Sequence, residues 1–214
     1  MEIFLDSANL KEIEKYFDLG LINGITTNPS ILSKEDVNLI DVINLCKRLN
    51  LNIFIQTIEE DYIKIFDESK SYYKLYPEKT ILKIPFSNEG LKSLKLFKKE
   101  NIPFSITAIF SLSQIILSLP YKPLYIIPYI NRIGRYGGEP LKIIKDAKNI
   151  IKENNLNIKI LSASFRSSKE IEEAFSFGSD AATIPPNIFE EILTNPLSKK
   201  AIEDFKRDYF KNKI

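Results

Sequence analysis

The sequence contains no histidine, no tryptophan and only one cysteine, Cys46, among its 214 residues. The absence of histidine excludes hydrolases that need an imidazole base, and it excludes zinc or iron sites with histidine ligands. A single cysteine excludes an intramolecular disulfide and a metal site built from several thiolates. Charge of either sign is not in excess, because 30 basic and 28 acidic residues give a formal net charge of +2. The composition therefore gives no electrostatic support for nucleic-acid binding.

Long hydrophobic segments are also missing. Lys, Asn or Pro interrupts each apolar stretch well before 18 residues, so no transmembrane helix is predicted. The first ten residues lack the basic stretch and apolar run of a signal peptide. These absences favour a cytoplasmic protein without a membrane partner. Because 44% of the residues are hydrophobic and 27% charged, we expect residues 1–214 to form one globular domain.

Short apolar segments alternate with longer amphipathic ones along the chain. Several short segments are almost continuous in Ile, Leu and Phe, which is typical of strands buried on both faces of a parallel sheet. The longer segments repeat apolar residues at three- and four-residue steps, as amphipathic helices do. The eight predicted strands are Glu2–Asp6, Gly24–Thr27, Leu51–Thr57, Thr80–Pro85, Pro103–Thr107, Pro123–Tyr129, Asn157–Ser162 and Asp180–Ile184.

Eight strand–helix units in a chain of this length predict an α/β fold, a (β/α)₈ TIM barrel with short loops. A doubly wound open sheet is the alternative architecture. Serines that precede acidic residues predict three helix N-termini, at Ser33, at Ser87 and at the pair Ser167 and Ser168. Residues 197–213 predict an additional C-terminal helix, whose apolar face would cover the barrel or a neighbouring subunit.

Polar residues at the carboxyl ends of the predicted strands are the candidates for chemistry, because barrel enzymes carry their active sites there. Strand alternation places Thr26 and Asn28 on the same face of the second strand. It likewise places Ser162 and Ser164 on the same face of the seventh strand. A polar residue pointing inward from most strands is hard to explain as packing, so it predicts a small polar pocket. The candidates are Asp6, Thr26, Asn28, Gln56, Lys83, Thr107, Tyr129, Arg132, Ser162, Ser164 and Arg166.

Lys83 is the sharpest single candidate, because it interrupts an apolar strand segment. An ordinary lysine, with a pKa of about 10.4, is neutral in only about one molecule in 2,500 at pH 7. Apolar neighbours would lower this pKa and expose a nucleophilic amine, as a Schiff-base lysine requires. The alternative is a lysine that extends its ammonium group to solvent. Asp6 and Tyr129 are candidates for proton transfer, with a helix cap and aromatic packing as their respective alternatives.

The other candidates suit substrate binding. Arg132 and Arg166 follow the sixth and seventh strands, where two guanidinium groups would suit a phosphate. Surface ion pairing is the alternative for each arginine. Thr26, Asn28 and Thr107 carry hydrogen-bonding groups suited to hydroxyls, with turn chemistry as the alternative, especially for Asn28 before a proline.

Seven segments of the chain resemble the small transaldolase family, in particular the subgroup that includes fructose-6-phosphate aldolase. They are residues 5–6, 24–31, 82–85, 89–90, 107–108, 128–132 and 163–166. The most specific are the Thr-Thr-Asn-Pro-Ser run and the strand with Lys-x-Pro. The resemblance implies a (β/α)₈ barrel, a class I mechanism without metal or cofactor, and a homo-oligomer, often a decamer.

The resemblance also implies a role for each candidate except Ser162. Lys83 would form a Schiff base with the carbonyl of a ketose, and Asp6 would handle protons at the donor's hydroxyl groups. Tyr129 and Gln56, the latter through a water, would share the remaining acid–base work. The substrate-binding residues would be Thr26, Asn28 and Thr107 for the donor or that water, and Arg132, Ser164 and Arg166 for the sugar phosphate.

Two activities of the family share this mechanism. Gln56 and Tyr129 stand where transaldolases usually carry Glu and Phe, which favours reversible cleavage of fructose 6-phosphate to dihydroxyacetone and glyceraldehyde 3-phosphate. Arg166 matches the transaldolase pattern, which favours transfer from sedoheptulose 7-phosphate to glyceraldehyde 3-phosphate in the pentose phosphate pathway. Ile127 matches neither pattern, because a small residue is usual there. On balance these residues favour the aldolase.

Other functions remain as alternatives. Another Schiff-base barrel, a lyase for deoxyribose phosphate or a keto-sugar acid, would not predict the Thr-Thr-Asn-Pro-Ser run. A non-catalytic sugar-phosphate-binding barrel would use the strand lysine only for charge, and predicts no covalent adduct with a ketose and borohydride. A nucleic-acid binder is disfavoured by the balanced charge.

Overall fold

Eight parallel strands close into a barrel and follow one another in sequence order. The computed structural model describes residues 1–211, and within them the strands are β1 (Glu2–Asp6), β2 (Gly24–Thr26), β3 (Asn52–Gln56), β4 (Thr80–Pro85), β5 (Phe104–Ile109), β6 (Tyr125–Pro128), β7 (Lys159–Ser162) and β8 (Ala181–Ile184). Strand β1 pairs with β8, with Leu5 opposite Ile184, which closes the sheet. The predicted TIM barrel is confirmed, and the alternative of an open doubly wound sheet is wrong.

Helices cover the outer face of the barrel. They are α1 (Leu10–Asp18), α2 (Pro29–Glu35), α3 (Leu39–Leu49), α4 (Tyr62–Tyr73), α5 (Asn88–Lys99), α6 (Leu112–Ser118), α7 (Ile130–Arg135), α8 (Pro140–Glu153), α9 (Ser168–Ser176), α10 (Pro186–Leu193) and α11 (Pro196–Lys211). A 3₁₀ turn, Leu119–Tyr121, follows α6. The additional C-terminal helix is confirmed as far as residue 211, and predicted helix residues 212 and 213 lie outside the described residues. Among residues 1–211, no helix combines the length and the apolar character that a membrane crossing requires.

Two of the three predicted helix starts are confirmed. The Oγ atoms of Ser87 and Ser167 accept hydrogen bonds from the first turns of α5 and α9. The start predicted at Ser33 is wrong, because this serine lies inside α2. Helix α2 begins earlier, where Oδ1 of Asn28 accepts a hydrogen bond from the backbone N–H of Ile31 at 3.0 Å. A proline is well suited to the first position of a helix, so the asparagine–proline pair starts this one.

Aromatic side chains fill the barrel near the amino ends of its strands. Alternation along β1, β3 and β6 turns Phe4, Phe54 and Tyr125 inward, and their rings meet edge to face with centroids 5.0–6.2 Å apart. The hydroxyl of Tyr125 donates to a carboxylate oxygen of Glu2 at 2.9 Å, and Lys159 forms an ion pair with the same carboxylate. This set of five residues, the barrel floor, supports the residues one alternation step further along the three strands, which are Asp6 after Phe4, Gln56 after Phe54 and Ile127 after Tyr125.

The barrel floor predicts a large loss of stability for the substitution Phe54→Ala. The free energy of unfolding should fall by about 3–5 kcal/mol, because the substitution leaves a cavity in a closed interior. Urea denaturation followed by circular dichroism measures the change. Phe177→Ala is the control, since this ring is 40% exposed and its removal should change the stability by about 1 kcal/mol or less. Equal losses for the two variants would contradict the packed floor.

Candidate active site

A pocket of about 540 Å³ opens at the carboxyl ends of the strands. The residues that line it come from β1, β2, β4, β6 and β8, from the loops after β2, β6, β7 and β8, and from helices α2, α7 and α10. Eight of the ten residues to which the resemblance gives a role are among them: Asp6, Thr26, Asn28, Lys83, Tyr129, Arg132, Ser164 and Arg166. The parallel barrel thus brings together side chains that lie as far as 160 positions apart in sequence, from 6 to 166.

Lys83 is buried in the pocket wall, with 4% of the residue exposed. Its Nζ donates a hydrogen bond to the backbone carbonyl oxygen of Thr27 at 2.9 Å. Burial lowers the pKa of the amine to about 8, and the negative charge of Asp6 opposes this shift. A pKa of about 8 leaves roughly one amine in ten neutral at pH 7. Lys83 is therefore not a lysine that extends to solvent, and it meets the requirement for an amine nucleophile.

Asp6 ends β1 beside two threonine hydroxyls. Its Oδ1 accepts a hydrogen bond from Oγ1 of Thr26 at 2.7 Å, and this Oγ1 lies 2.6 Å from Oγ1 of Thr183. Thr26 has one hydroxyl hydrogen and gives it to Asp6, so Thr183 is the donor to Thr26. Burial raises the pKa of Asp6, while Lys83 and the bond from Thr26 oppose the rise. Asp6 is not a helix cap, since Asn9 caps α1.

Gln56 and Thr107 are not among the described residues that line the pocket. Thr107 contacts it through Tyr129, whose hydroxyl lies 3.1 Å from Oγ1 of Thr107. Gln56 stands opposite Lys83 in the register of β3 and β4, and within residues 1–211 its buried Oε1 has no hydrogen-bond partner. A buried acceptor next to the lysine can hold a proton-bearing group close to the amine.

Two arginines stand at the mouth of the pocket. Cζ of Arg132 lies 4.8 Å from the centroid of the Tyr129 ring, and Arg166 follows β7. Both side chains are exposed, and neither forms a salt bridge with any residue of the described part of the chain. The alternative of surface ion pairing is therefore wrong for both. Their guanidinium groups are available to an anionic ligand.

The prediction that Ser162 and Ser164 share a face is wrong. The Oγ of Ser162 forms a hydrogen bond with Oγ of Ser179, away from the pocket. Strand β7 ends at Ser162, so alternation no longer holds beyond it. Ala163 lines the pocket, and so does Ser164, whose backbone adopts a left-handed conformation with φ of 67°. Such a conformation is uncommon for residues other than glycine and is often found at functional sites.

The pocket includes residues that the sequence analysis did not single out. Thr183 was detectable in principle, because it alternates with Ala181 in an apolar strand. Lys34 and Glu35 were hidden by the wrong helix start at Ser33, because α2 ends rather than begins there. The remaining residues of this group are Ser30, Ile31, Ala163, Phe165, Pro185, Pro186 and Asn187.

The lowered pKa of Lys83 predicts a rise in activity with pH. Only the neutral amine attacks a carbonyl, so the second-order rate of Schiff-base formation should increase up to about pH 8 and then level off. Far below the midpoint the slope approaches a factor of ten per pH unit. Single-turnover trapping with borohydride between pH 6 and pH 10 measures the profile. A midpoint near 10.4 would contradict a buried amine.

Comparison with known proteins identifies the family. Residues 3–214 match the sequence profile of a family described as Transaldolase/Fructose-6-phosphate aldolase. A probable transaldolase from Nitrosopumilus maritimus is 36% identical over 215 residues, which cover 100% of this chain and 96% of that protein. A protein named probable transaldolase 2 from Listeria monocytogenes is 33% identical over 210 residues, which cover 98% of this chain and 96% of that protein.

Solved structures share the fold at much lower sequence identity. The flavin-binding domain of flavocytochrome b2 from baker's yeast superimposes with a TM-score of 0.63 at 12% identity. The match covers 88% of this chain and 58% of that chain, and at this identity it concerns the fold alone. The family profile and the sequence relatives carry the functional conclusion: the chain belongs to the transaldolase/fructose-6-phosphate aldolase family and is a Schiff-base-forming enzyme.

Proposed function

We propose that this enzyme transfers a dihydroxyacetone unit from a ketose phosphate to an aldose phosphate, with Lys83 as the residue that carries the unit. The single observation that supports this most strongly is the buried amine of Lys83, with its lowered pKa, inside a pocket that has two unpaired arginines at its mouth. The transfer reaction converts sedoheptulose 7-phosphate and glyceraldehyde 3-phosphate to erythrose 4-phosphate and fructose 6-phosphate. The relatives named probable transaldolase support transfer as the principal reaction.

The first step joins Lys83 to the donor. Its neutral amine attacks C2 of the ketose, and the carbonyl oxygen takes up two protons and leaves as water. The hydroxyl of Tyr129, which hydrogen-bonds with Thr107, supplies a proton to that oxygen, since no other phenol is among the described residues that line the pocket. The product is a positively charged iminium, which withdraws electrons from the neighbouring carbon chain.

The second step breaks the bond between C3 and C4. The proton of the C4 hydroxyl passes to the carboxylate of Asp6, and C4 becomes the carbonyl carbon of an aldehyde. The bonding electrons move towards the iminium nitrogen and leave an enamine on Lys83. Burial raises the pKa of Asp6, which makes its carboxylate a better proton acceptor than an ordinary aspartate.

The third step decides between transfer and release. In transfer, C3 of the enamine attacks the aldehyde carbon of the acceptor, and the new C4 oxygen takes the proton back from Asp6. In release, C3 takes a proton instead. Water then hydrolyses the iminium in either case and frees Lys83. The position of Gln56 beside Lys83, with a buried acceptor oxygen, supports a role in holding the water of this step.

Substrate binding divides between the donor end and the phosphate end. Oδ1 of Asn28 caps α2, so its Nδ2 is left to donate to a donor hydroxyl. The carboxylate of Asp6 keeps Thr26 oriented at the same end. Arg132, Ser164 and Arg166 bind the phosphate, because guanidinium groups match phosphate oxygens in geometry and charge.

Ile127 shapes the donor end of the pocket. It lies on β6, two residues before Tyr129, and it faces inward with 2% of the residue exposed. A bulky side chain there narrows the space in front of Lys83 and favours the small dihydroxyacetone unit as the group that stays bound.

Cleavage of fructose 6-phosphate by water is the second candidate function. The specific observation that favours it is the pair of Tyr129 and Gln56, whose hydroxyl and amide can activate a water near the enamine. The two functions share every step up to the enamine, so they differ only in whether an aldehyde or a proton adds to its C3.

The covalent step predicts an adduct on one lysine. Incubation with fructose 6-phosphate and borohydride, followed by peptide mass spectrometry, should find a reduced three- or six-carbon fragment on Lys83. Lys83→Ala should lose the adduct and all turnover while keeping the far-ultraviolet circular dichroism of the parent. Lys145→Ala, at an exposed position on α8, is the control and should retain both. An adduct on another lysine, or none, would refute the assignment and favour a non-catalytic sugar-phosphate-binding barrel.

The fate of the enamine predicts an effect of Tyr129→Phe. Glyceraldehyde 3-phosphate is measured from fructose 6-phosphate with and without erythrose 4-phosphate, and a transaldolase sustains its formation only with the acceptor. Loss of the phenol should raise the ratio of transfer to release by about tenfold or more, because proton transfer to the enamine is slowed. Tyr136→Phe, at a site 86% exposed, is the control. An unchanged ratio in Tyr129→Phe would contradict the role given to this phenol.

Three expectations from the sequence complete the proposal. Residues 1–214 form one domain, the enzyme is a homo-oligomer and often a decamer in its family, and it acts in the cytoplasm on sugar phosphates without a nucleic-acid or membrane partner. The exposed apolar residues Leu197, Phe205 and Phe210 on α11 support assembly with further subunits. These points stay predictions.

A further inference from the structure

Glu170 occupies the third position of α9 but does not complete the capping motif that its sequence predicts. Oγ of Ser167 accepts a hydrogen bond from the backbone N–H of Glu170, which is half of a capping box. In a complete box, the glutamate would return to the N–H of the serine. Here Oε2 of Glu170 accepts from the backbone N–H of Arg166 at 2.7 Å, and Oε1 accepts from Nδ2 of Asn131 at 2.8 Å.

This carboxylate joins the two chain segments that carry the pocket arginines. Asn131 lies in the first turn of α7, directly before Arg132. Arg166 lies in the loop between β7 and α9. Backbone bonds from the N–H groups of Ile130 and Asn131 to the carbonyl oxygens of Ala163 and Ser164, at 2.9 and 3.3 Å, join the same segments nearer the strand ends. Without Glu170, the backbone N–H of Arg166 and the amide of Asn131 would lose their partner.

The arrangement also keeps both guanidinium groups unneutralised. A glutamate so near two arginines could pair with either of them and reduce its affinity for phosphate. Both carboxylate oxygens of Glu170 instead accept from neutral donors, and no carboxylate in residues 1–211 lies within salt-bridge distance of Arg132 or Arg166. The carboxylate orders the arginine-bearing backbone and leaves the positive charges free.

We infer that Glu170 is a positioning residue that fixes the separation of Arg132 and Arg166 for one phosphate group, and so sets the preference of this enzyme for phosphorylated over unphosphorylated substrates. The inference rests on the proposed function, because it takes these arginines as the phosphate site. Its physical basis is preorganisation: when the two segments are already held together, phosphate binding does not have to order them.

The test compares a phosphorylated with an unphosphorylated ligand in the same variants. In Glu170→Ala, KM for fructose 6-phosphate should rise about tenfold while kcat changes by about twofold or less, since only binding of the phosphate is weakened. Borohydride trapping of dihydroxyacetone on Lys83, which uses no phosphate site, should keep its parent rate. Glu170→Gln retains one acceptor oxygen and should give an intermediate KM. Glu172→Ala, an exposed glutamate on the same helix, is the matched control and should leave both readouts unchanged.

The outcomes separate the inference from the proposed function. If Glu170→Ala slows dihydroxyacetone trapping as much as it weakens fructose 6-phosphate binding, its role is merely structural and the inference is overturned. Arg166→Ala provides the second arm. If Arg166→Ala raises KM for fructose 6-phosphate and Glu170→Ala does not, the inference about Glu170 is overturned and the proposed function stands. If Arg166→Ala leaves KM unchanged, the phosphate site of the proposed function fails as well. In the double variant, an increase in KM smaller than the product of the two single increases would support action of Glu170 through Arg166.

Discussion

The side-chain amine of Lys83 is buried by the barrel, where desolvation opposes its charged form and the carboxylate of Asp6 favours it. Because these two effects act in opposite directions, the pKa of Lys83 is lowered to about 8 and no further. Closure of the barrel supplies both effects, since the apolar strand around Lys83 and the acidic end of β1 reach the same pocket only when eight strands form one ring. The hydrogen bond from Nζ of Lys83 to the backbone carbonyl oxygen of Thr27 then fixes the position of the amine in the pocket.

The groups proposed for covalent chemistry and those proposed for phosphate binding stand on different kinds of structure. The groups proposed for covalent chemistry stand on strand ends or directly after them, where pairing on both sides holds the backbone. The groups proposed for phosphate binding stand on α7 and on the loop after β7, which are held by side-chain contacts such as those of Glu170. Positioned strand ends give the accuracy that bond cleavage needs, whereas a tethered loop is enough for binding a tetrahedral anion.

The sequence predicted the barrel because eight short apolar runs alternate with amphipathic segments, and each strand was located to within two residues of its observed bounds. Eight site residues reached the pocket because strand ends can be read from the same runs. The errors arose where strand geometry stops. The prediction for Ser162 and Ser164 was wrong because β7 ends at Ser162 and Ser164 takes a left-handed conformation. The sequence around Ser164 contains no pattern that predicts this conformation. The contact of Glu170 with Asn131 was not predicted, since it spans 39 positions and depends on β6 and β7 lying side by side.

The barrel floor has a kinetic consequence. Phe4, Phe54 and Tyr125 pack across the interior, with Glu2 and Lys159 beneath them, so in the described part of the chain reactants reach the amine from the opposite end. In the proposed transfer reaction, the departing aldehyde and the incoming one then use the same entrance and the same arginines, in turn. After the first aldehyde leaves and before the second one binds, the dihydroxyacetone unit stays covalently attached to Lys83. Such a cycle is ping-pong, and an excess of the second aldehyde inhibits it by occupying the unloaded enzyme.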